Sequence, residues 1–505
     1  MGATGGDGIA CARAALARGE SALVWRRQIA DTDTPISAAL KLFEPDRGDF
    51  LLESVEGGAV RGRHSLIGLA PDLLFRADGN MAQINRRWAS DRTAFEPLEA
   101  DALTALRSLV AECRAELDPA LPAALACLVG YFGYETVGLV EKLPRPAPNP
   151  IALPDMLFVR PTVILVFDRL ADALYLVAPV WKGSFTDPDK AIDEALERID
   201  ATAARLAAPL PATSAPADTA DIAVTPVLEP GRYAAMVNRA KDYIVAGDIF
   251  QVVLAQRFTS PFTLPPIALY RALRRINPSP FLYYLDLPGF ALIGSSPEIL
   301  VRARDGEVTI RPIAGTRPRG KNAVEDAANR ESLLADPKER AEHLMLLDLG
   351  RNDVGRVATA GSVTVTDSYS VEFYSHVMHI VSNVVGQLSP DKDAIDALFA
   401  GFPAGTVSGA PKVRACEIIA ELEPETRGAY AGGVGYFGPD GNMDSCIVLR
   451  TAVLKDGVMH VQAGAGIVAD STPEYEQREC EAKSGALLAA AREAVALARE
   501  SGFGQ

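Results

Sequence analysis

Two strand–turn–strand segments in the second half of the chain limit the fold more than any other feature. In EILVRARDGEVTIRPI, Glu298 to Ile313, the residues Ile299, Val301 and Ala303 alternate with Leu300, Arg302 and Arg304. Asp305-Gly306 is the dipeptide a two-residue hairpin turn prefers. CIVLRTAVLKDGVMHVQAG, Cys446 to Gly464, repeats the plan around Asp456-Gly457. Turns this short join only antiparallel strands. Segments with three- and four-residue apolar periodicity interrupt the hairpins, so the pattern predicts an α+β fold: antiparallel β-sheets packed as a sandwich and covered by helices. No P-loop occurs and no GxGxxG follows a strand, which argues against a parallel nucleotide-binding fold.

At 505 residues the chain is long for one compact domain. The first half shows short β-rich runs (49–53, 161–167, 173–177) and helical segments over 101–117 and 187–206. PRPAPNP, Pro144 to Pro150, is a rigid connector. The stretch PLPATSAPADTADIA has nothing to bury and marks a boundary. The expected organisation is an N-terminal region 1–208, a linker 209–224 and a catalytic domain 225–505. The second half opens with an amphipathic helix over 232–246. A net charge of −15 argues against nucleic acid or an anionic membrane as partner and favours a small molecule. Six cysteines without paired spacing suit reduced thiols. Residues 1–20 lack a signal-peptide pattern and no apolar run is long enough to span a membrane, so the expected location is cytoplasmic.

Two helices carry clustered carboxylates. DPKERAEHLMLLDLGRND begins with Asp336 as N-cap and Pro337 at the first position, with Gly350 as its end, and places Glu339 and Glu342 on one face. Thr472 and Pro473 open a second helix with Glu476, Glu479 and Lys483 on one face, shortly after AGAG (Ala463–Gly466), which reads as a turn that a ligand could approach. Each set alone also reads as a solvated face, with Glu479 and Lys483 an ordinary i,i+4 pair. Together, four oxygen ligands without histidine or cysteine suit a hard cation such as Mg²⁺.

The loop RPIAGTRPRG concentrates Arg311, Arg317 and Arg319, and Arg450 lies within the apolar strand CIVLRTAV; such arginines can form a carboxylate receptor or simply a surface loop and a strand edge. YSHVMHIVSNV reads as a strand, which sends His376 and His379 to opposite faces, so at most one serves a site.

LLES (Leu51–Ser54), GYFGYE (Gly130–Glu135), GDIFQVVLAQRF, NPSPF, SSPEIL, RPIAGTRPRG, KERAEHLMLLDLGRNDVGRV, SHVMHIVS, FPAGTVSGAPK and QAGAGIVADSTPEYE occur in this order along the chain. The ordered set resembles the chorismate-utilising enzymes, most closely the anthranilate synthase component I family. The resemblance implies a Mg²⁺ site of Glu342 and Glu479, with Glu339 and Glu476 acting through water, on the ring carboxylate of chorismate. It implies Arg450, Tyr430, Gly464, Gly466 and Lys483 at the second carboxylate, with Gly315 and Thr316 closing on substrate beside Thr406. Glu298 would be the acid/base carboxylate and His379 would assist loss of pyruvate. The implied reaction joins ammonia to chorismate and yields anthranilate and pyruvate. No cysteine sits in a glutaminase elbow, so ammonia would come from a separate glutamine amidotransferase subunit, component II, in a heterotetramer of two of each.

Two positions separate the relatives. Isochorismate-forming members typically carry a lysine where this chain has Gln251, and the folate-pathway member typically carries a lysine nucleophile where this chain has Ala314. Neither residue here offers a base or nucleophile, which leaves ammonia to attack. The resemblance also implies a tryptophan-feedback site of Glu53, Ser54, Asn277, Pro280, Leu282, Val434 and Tyr436.

Overall fold

The computed structural model describes residues 8–56, 60–144, 148–211, 221–374 and 377–500. His376, the middle of the PRPAPNP connector and residues 212–220 of the linker lie outside them. No described helix is long and apolar enough to cross a membrane.

The strands form two large antiparallel sheets. The first runs from Ala22–Ile29 through Ala173–Val180, Val163–Asp168, Val60–Leu69 and Asp49–Glu56 to Phe281–Leu287, Phe290–Ser296, Thr451–Lys455, Val458–Ile467 and Gln251–Pro261. The second includes Ile313–Pro318, Val377–Gln387, Glu307–Ile310, Ile299–Arg304, Met443–Ile447, Gly433–Phe437, Leu128–Phe132 and Met156–Arg160. Each sheet draws strands from both sides of the 209–224 stretch: Asp49–Glu56 pairs with Phe281–Leu287, and Leu128–Phe132 with Gly433–Phe437. The division at the linker is therefore one of sequence, and the two halves share their hydrogen-bonded ladders.

Strand alternation explains the layering. Tyr283, Leu285 and Leu287 face the core between the sheets, where Phe290 meets Tyr131 edge-on at 6.0 Å. Leu282 and Tyr284 face the other way, into a second core built with helices such as Pro266–Ile276 and Pro473–Arg499. Both Asp-Gly turns form as expected: Asp305 and Gly306 have φ of 51° and 78°, and Asp456 and Gly457 have 51° and 75°, the left-handed pair a type I′ turn requires. The helix Arg232–Ala246 matches its expected bounds, while the one after Asp101 stops at Glu112.

Four local expectations are corrected. RPIAGTRPRG is mostly strand: Ile313–Pro318 pairs with Val377–Gln387, and its prolines fall at the entry and the last paired residue. The AGAG segment lies inside the strand Val458–Ile467, paired with Gln251–Pro261, because small residues are accommodated by a sheet as readily as by a turn. The helix from Pro337 continues to Gly355; Gly350 sits inside it, where a Cβ would come 3.1 Å from the Pro312 ring, so the glycine serves close packing and not termination. Arg450 is in no strand. The chain leaves the second sheet after Ile447 and enters the first at Thr451, and Arg450 occupies the crossover with φ of 49°.

Candidate active site

That crossover positions the site. Arg450 is half-buried, and among the described residues its guanidinium makes no hydrogen bond or ion pair. Burial lowers its proton affinity, and the main opposing effect is the charge of Glu298. Glu298 follows the end of the strand Phe290–Ser296, on the passage to the second sheet. Its side chain is 8 % exposed and accepts a hydrogen bond of 3.2 Å from the Thr406 hydroxyl. Burial pushes its carboxyl up to about 8, against the opposing effects of Thr406 and Arg450. At neutral pH Glu298 therefore carries a proton it can donate, near an arginine whose guanidinium has no partner among the described residues.

His379 approaches from the second sheet. Its Nδ1 lies 2.9 Å from the Gly315 carbonyl and 3.1 Å from the Thr316 hydroxyl. The carbonyl can only accept, so Nδ1 bears the hydrogen and Nε2 keeps a free lone pair. Burial lowers the imidazole's proton affinity, which keeps it neutral. The contact depends on a bulge: the pairing register slips between Ala314 and Thr316, and Gly315 takes φ of 70°. A Cβ there would lie 3.1 Å from the Glu339 carboxylate. Ala314 itself is buried in the strand.

The floor of the site is the pair of strands Gln251–Pro261 and Val458–Ile467. Gly464 and Gly466 leave room for two side chains to lie across the ladder: a Cβ at 464 would come 2.9 Å from the Tyr430 hydroxyl, and one at 466 would collide with the Gln251 amide. The Lys483 ammonium bridges the Gly464 carbonyl at 2.9 Å and Glu479 at 2.7 Å. Gln251 thus covers Gly466 directly.

The structure brings the expected metal carboxylates into one acidic region, where the starts of two helices approach each other and Lys338 reaches Asp470 at 3.1 Å. They are not equivalent. Glu342 has no hydrogen bond or ion pair among the described residues, and its proton affinity is raised by burial first and then by Glu339 and Glu479. Glu339 is bound by Arg317 at 2.9 Å, Glu479 by Lys483, and Glu476, raised chiefly by burial, is hydrogen-bonded to Ser471. Among the described residues no three ligands converge into a closed metal-binding group. The donor set still fits a hard dication: an unpaired, repelled carboxylate on one helix faces another across the gap, and water can fill the remaining positions. Asp336 caps its helix through the Lys338 and Glu339 amides, whereas Thr472 stands at the cap position without a side-chain hydrogen bond.

The three arginines of RPIAGTRPRG brace. Arg311 pairs with Glu372, Arg317 with Asp336 and Glu339, and Arg319 with Asp326. None replaces Arg450.

Several neighbours escaped the sequence reading. Tyr374 sits edge-on to His379, with ring centroids 5.4 Å apart. Arg427, only 2 % exposed, pairs with Glu423 at 2.6 Å, donates to the carbonyls of Val407 and Val253, and lies 5.7 Å from the Tyr430 ring centroid. Glu135 of GYFGYE accepts from the Arg427 and Gly428 amides, and burial raises its carboxyl to about 7. Glu135 offered a signal, a charged residue inside an apolar stretch, whereas Arg427 stands among glutamates and reads as a surface position.

The seven residues of the expected tryptophan site are not gathered on one face. Glu53 and Leu282 oppose each other in register and face the helices. Glu53 is saturated: Arg274, Arg169 and Tyr270 all donate to it, and together they outweigh burial and hold its carboxyl below the usual range. It has no lone pair to spare for an ammonium group. Alternation puts Ser54 on the opposite face, with Leu52 and Phe281, toward the core that holds Val434 and Tyr436. Asn277 ends the helix Pro266–Ile276, where its carbonyl accepts from Ser295, and Pro280 leads into the next strand.

Comparison with known proteins adds a family. A family model described as chorismate binding enzyme matches residues 63–489. Anthranilate synthase component 1 of Cereibacter sphaeroides is 52% identical over 490 residues, which is 96% of this chain and 97% of that protein. The protein of the same name from Thermus thermophilus is 48% identical over 470 residues, covering 93% of this chain and 97% of its own. The crystal structure of anthranilate synthase component I from Streptococcus pneumoniae superposes with a TM-score of 0.74 at 35% identity, over 91% of this chain and 99% of that one. The menaquinone-specific isochorismate synthase of Escherichia coli shares the fold, with a TM-score of 0.69 at 19% identity over 96% and 99% of the two chains.

Proposed function

The chain belongs to the chorismate binding enzyme family, among its anthranilate synthase component 1 members, and from that premise we propose that it converts chorismate and ammonia to anthranilate and pyruvate. The observation that carries the chemistry is the buried, protonated Glu298 beside the unpaired Arg450. Arg450 would hold the enolpyruvyl carboxylate, with Tyr430 and Lys483 at the same end. Glu298 would donate its proton to the C4 hydroxyl, which departs as water while ammonia bonds to C2. The resulting carboxylate would then take a proton from the new ammonium group, restoring Glu298 and leaving an aminodeoxyisochorismate. His379, neutral with Nε2 free, would accept the C2 proton as the ether C–O bond breaks to give the aromatic ring, and the departing enolate would take that proton at its methylene carbon, which restores the neutral imidazole and yields pyruvate.

Glu342 and Glu479 would hold Mg²⁺, with Glu339 and Glu476 behind them; when bound, the ion supplies positive charge to the ring carboxylate. Ala314 and Gln251 support ammonia as the attacking group, since neither can serve as nucleophile or base. The ammonia would come from glutamine through a separate amidotransferase subunit, in a heterotetramer. Tryptophan would act as feedback inhibitor from the inter-sheet side, where Ser54, Val434 and Tyr436 support a site and Glu53 serves as its brace. Incubation with chorismate, Mg²⁺ and ammonium should produce fluorescent anthranilate. Accumulation of isochorismate or 4-amino-4-deoxychorismate instead would refute the assignment.

A further inference from the structure

We propose that Tyr374 is a positioning residue that holds the His379 imidazole against the Gly315 bulge, a role resting on the assignment of His379 to the reaction above. Tyr374 lies just past the strand Thr364–Phe373 and is fixed at three points. Its amide donates to the Val377 carbonyl at 2.8 Å, its carbonyl accepts from Arg319 at 2.7 Å, and its hydroxyl donates to Glu372 at 3.0 Å. Glu372 is the register partner of His379 on the neighbouring strand and is itself held by Arg311. The ring is 8 % exposed and meets the His379 ring at 66°.

The imidazole needs this second constraint. Its hydrogen bonds to Gly315 and Thr316 both act at Nδ1, and a planar ring held at one edge can still tilt about that edge. Nε2, the atom left for chemistry, is at the far side and moves most. An edge-to-face contact with a ring that is itself pinned removes the tilt. The groups facing His379 are Gly315 and Thr316 from one strand, Glu372 and Tyr374 from the other side, and the Arg450 charge. Tyr374 also lies within electrostatic reach of Glu298 and Arg450. The arginine-rich segment thereby gains a purpose: Arg311 and Arg319 secure the hydroxyl and carbonyl of the residue that orients His379.

Three variants test this. Tyr374→Phe keeps the ring and should retain turnover within about threefold, since packing still confines the ring. Tyr374→Leu removes it, and kcat should fall roughly three- to tenfold with the KM for chorismate unchanged, the range an aromatic edge contact converts to. Tyr374→Met fills the volume without a ring and replaces the leucine variant should that chain fail to fold. The ring ¹³C–¹H order parameters of His379, measured without substrate, should be those of a fixed imidazole in the parent and Phe chains and should fall in the Leu or Met chain. Equal losses in the Phe and Leu chains, a rise in KM with kcat constant, or unaltered His379 order parameters would each overturn the proposal. The order parameters do not depend on turnover, so a parent chain that forms no anthranilate refutes the proposed function, and an imidazole equally rigid in all chains refutes the positioning role.

Discussion

Replacing Glu298 by glutamine should stabilise the protein at alkaline pH while removing its activity. Burial raises the carboxyl from an ordinary 4.5 to about 8, even though the Thr406 hydrogen bond and the Arg450 charge pull the other way. Between those values the folded chain holds a proton that the unfolded chain has released. The stability tied to this group is therefore full below pH 4.5 and is lost progressively as the pH rises to 8. At about 1.4 kcal/mol for each pH unit, the parent should lose ~3 kcal/mol from this group between pH 5 and pH 8. Glutamine loses nothing, because it does not titrate, has nearly the same volume and can still accept from Thr406. Unfolding entropy of roughly 2.1 cal/mol/K per residue gives a chain of this length about 1 kcal/mol/K, so the difference appears as ~3 °C in the midpoint.

The assay compares thermal midpoints of Glu298→Gln and parent, free of ligand, at matched ionic strength across pH 5 to 8. All other titrating groups are common to the two chains and cancel to first order. The gap between the curves should widen by ~3 °C in favour of the variant as pH rises. Parallel curves would mean that Glu298 titrates normally and that the burial argument is wrong. Turnover with ammonium should fall by about 10² to 10⁴, the range for removing a general acid.

Three further substitutions probe the rest of the site. Glu342→Gln should abolish Mg²⁺ binding measured by calorimetry while leaving the thermal midpoint unchanged or slightly higher, since the carboxyl is repelled by Glu339 and Glu479 and has no partner to lose. Arg427→Met leaves Glu423 buried without its cation and should cost about 3–5 kcal/mol, whereas adding Glu423→Gln should recover part of the loss in the same denaturation measurement. Arg450→Ala should raise the KM for chorismate by about 10- to 100-fold, the worth of a charge-assisted hydrogen bond, with an unchanged circular dichroism spectrum.

The parts of this fold that were legible in sequence are those decided by neighbouring residues. Asp305-Gly306 and Asp456-Gly457 set their hairpins because a type I′ turn needs two left-handed residues in a row, and a dipeptide can state that requirement. Asp336-Pro337 marks its helix start for the same local reason. The ordered motifs carried the candidate site residues, and Glu298, Thr406, Arg450, His379 and Gly315 do come together. Lost were the features decided across the sheets. RPIAGTRPRG has the composition of a turn, yet its partner strand lies some sixty residues away and supplies the pairing that overrides propensity.

Arg450 shows why the site is harder to read than the fold. CIVLRTAV has the unbroken apolar character of a buried strand, and a strand would have sent the arginine into one face of one sheet. The chain instead changes sheets there, and the residue that makes the change is held with φ of 49° in the gap between two ladders. Such a conformation is unfavourable for an arginine taken alone and persists only because the strands on either side fix it. The same gap lets Glu298, on the other passage between the sheets, come near it without forming a closed ion pair. Had Arg450 continued the strand, its guanidinium would have needed a permanent partner in the core; placed at the crossover, it can remain partly accessible and without a partner among the described residues.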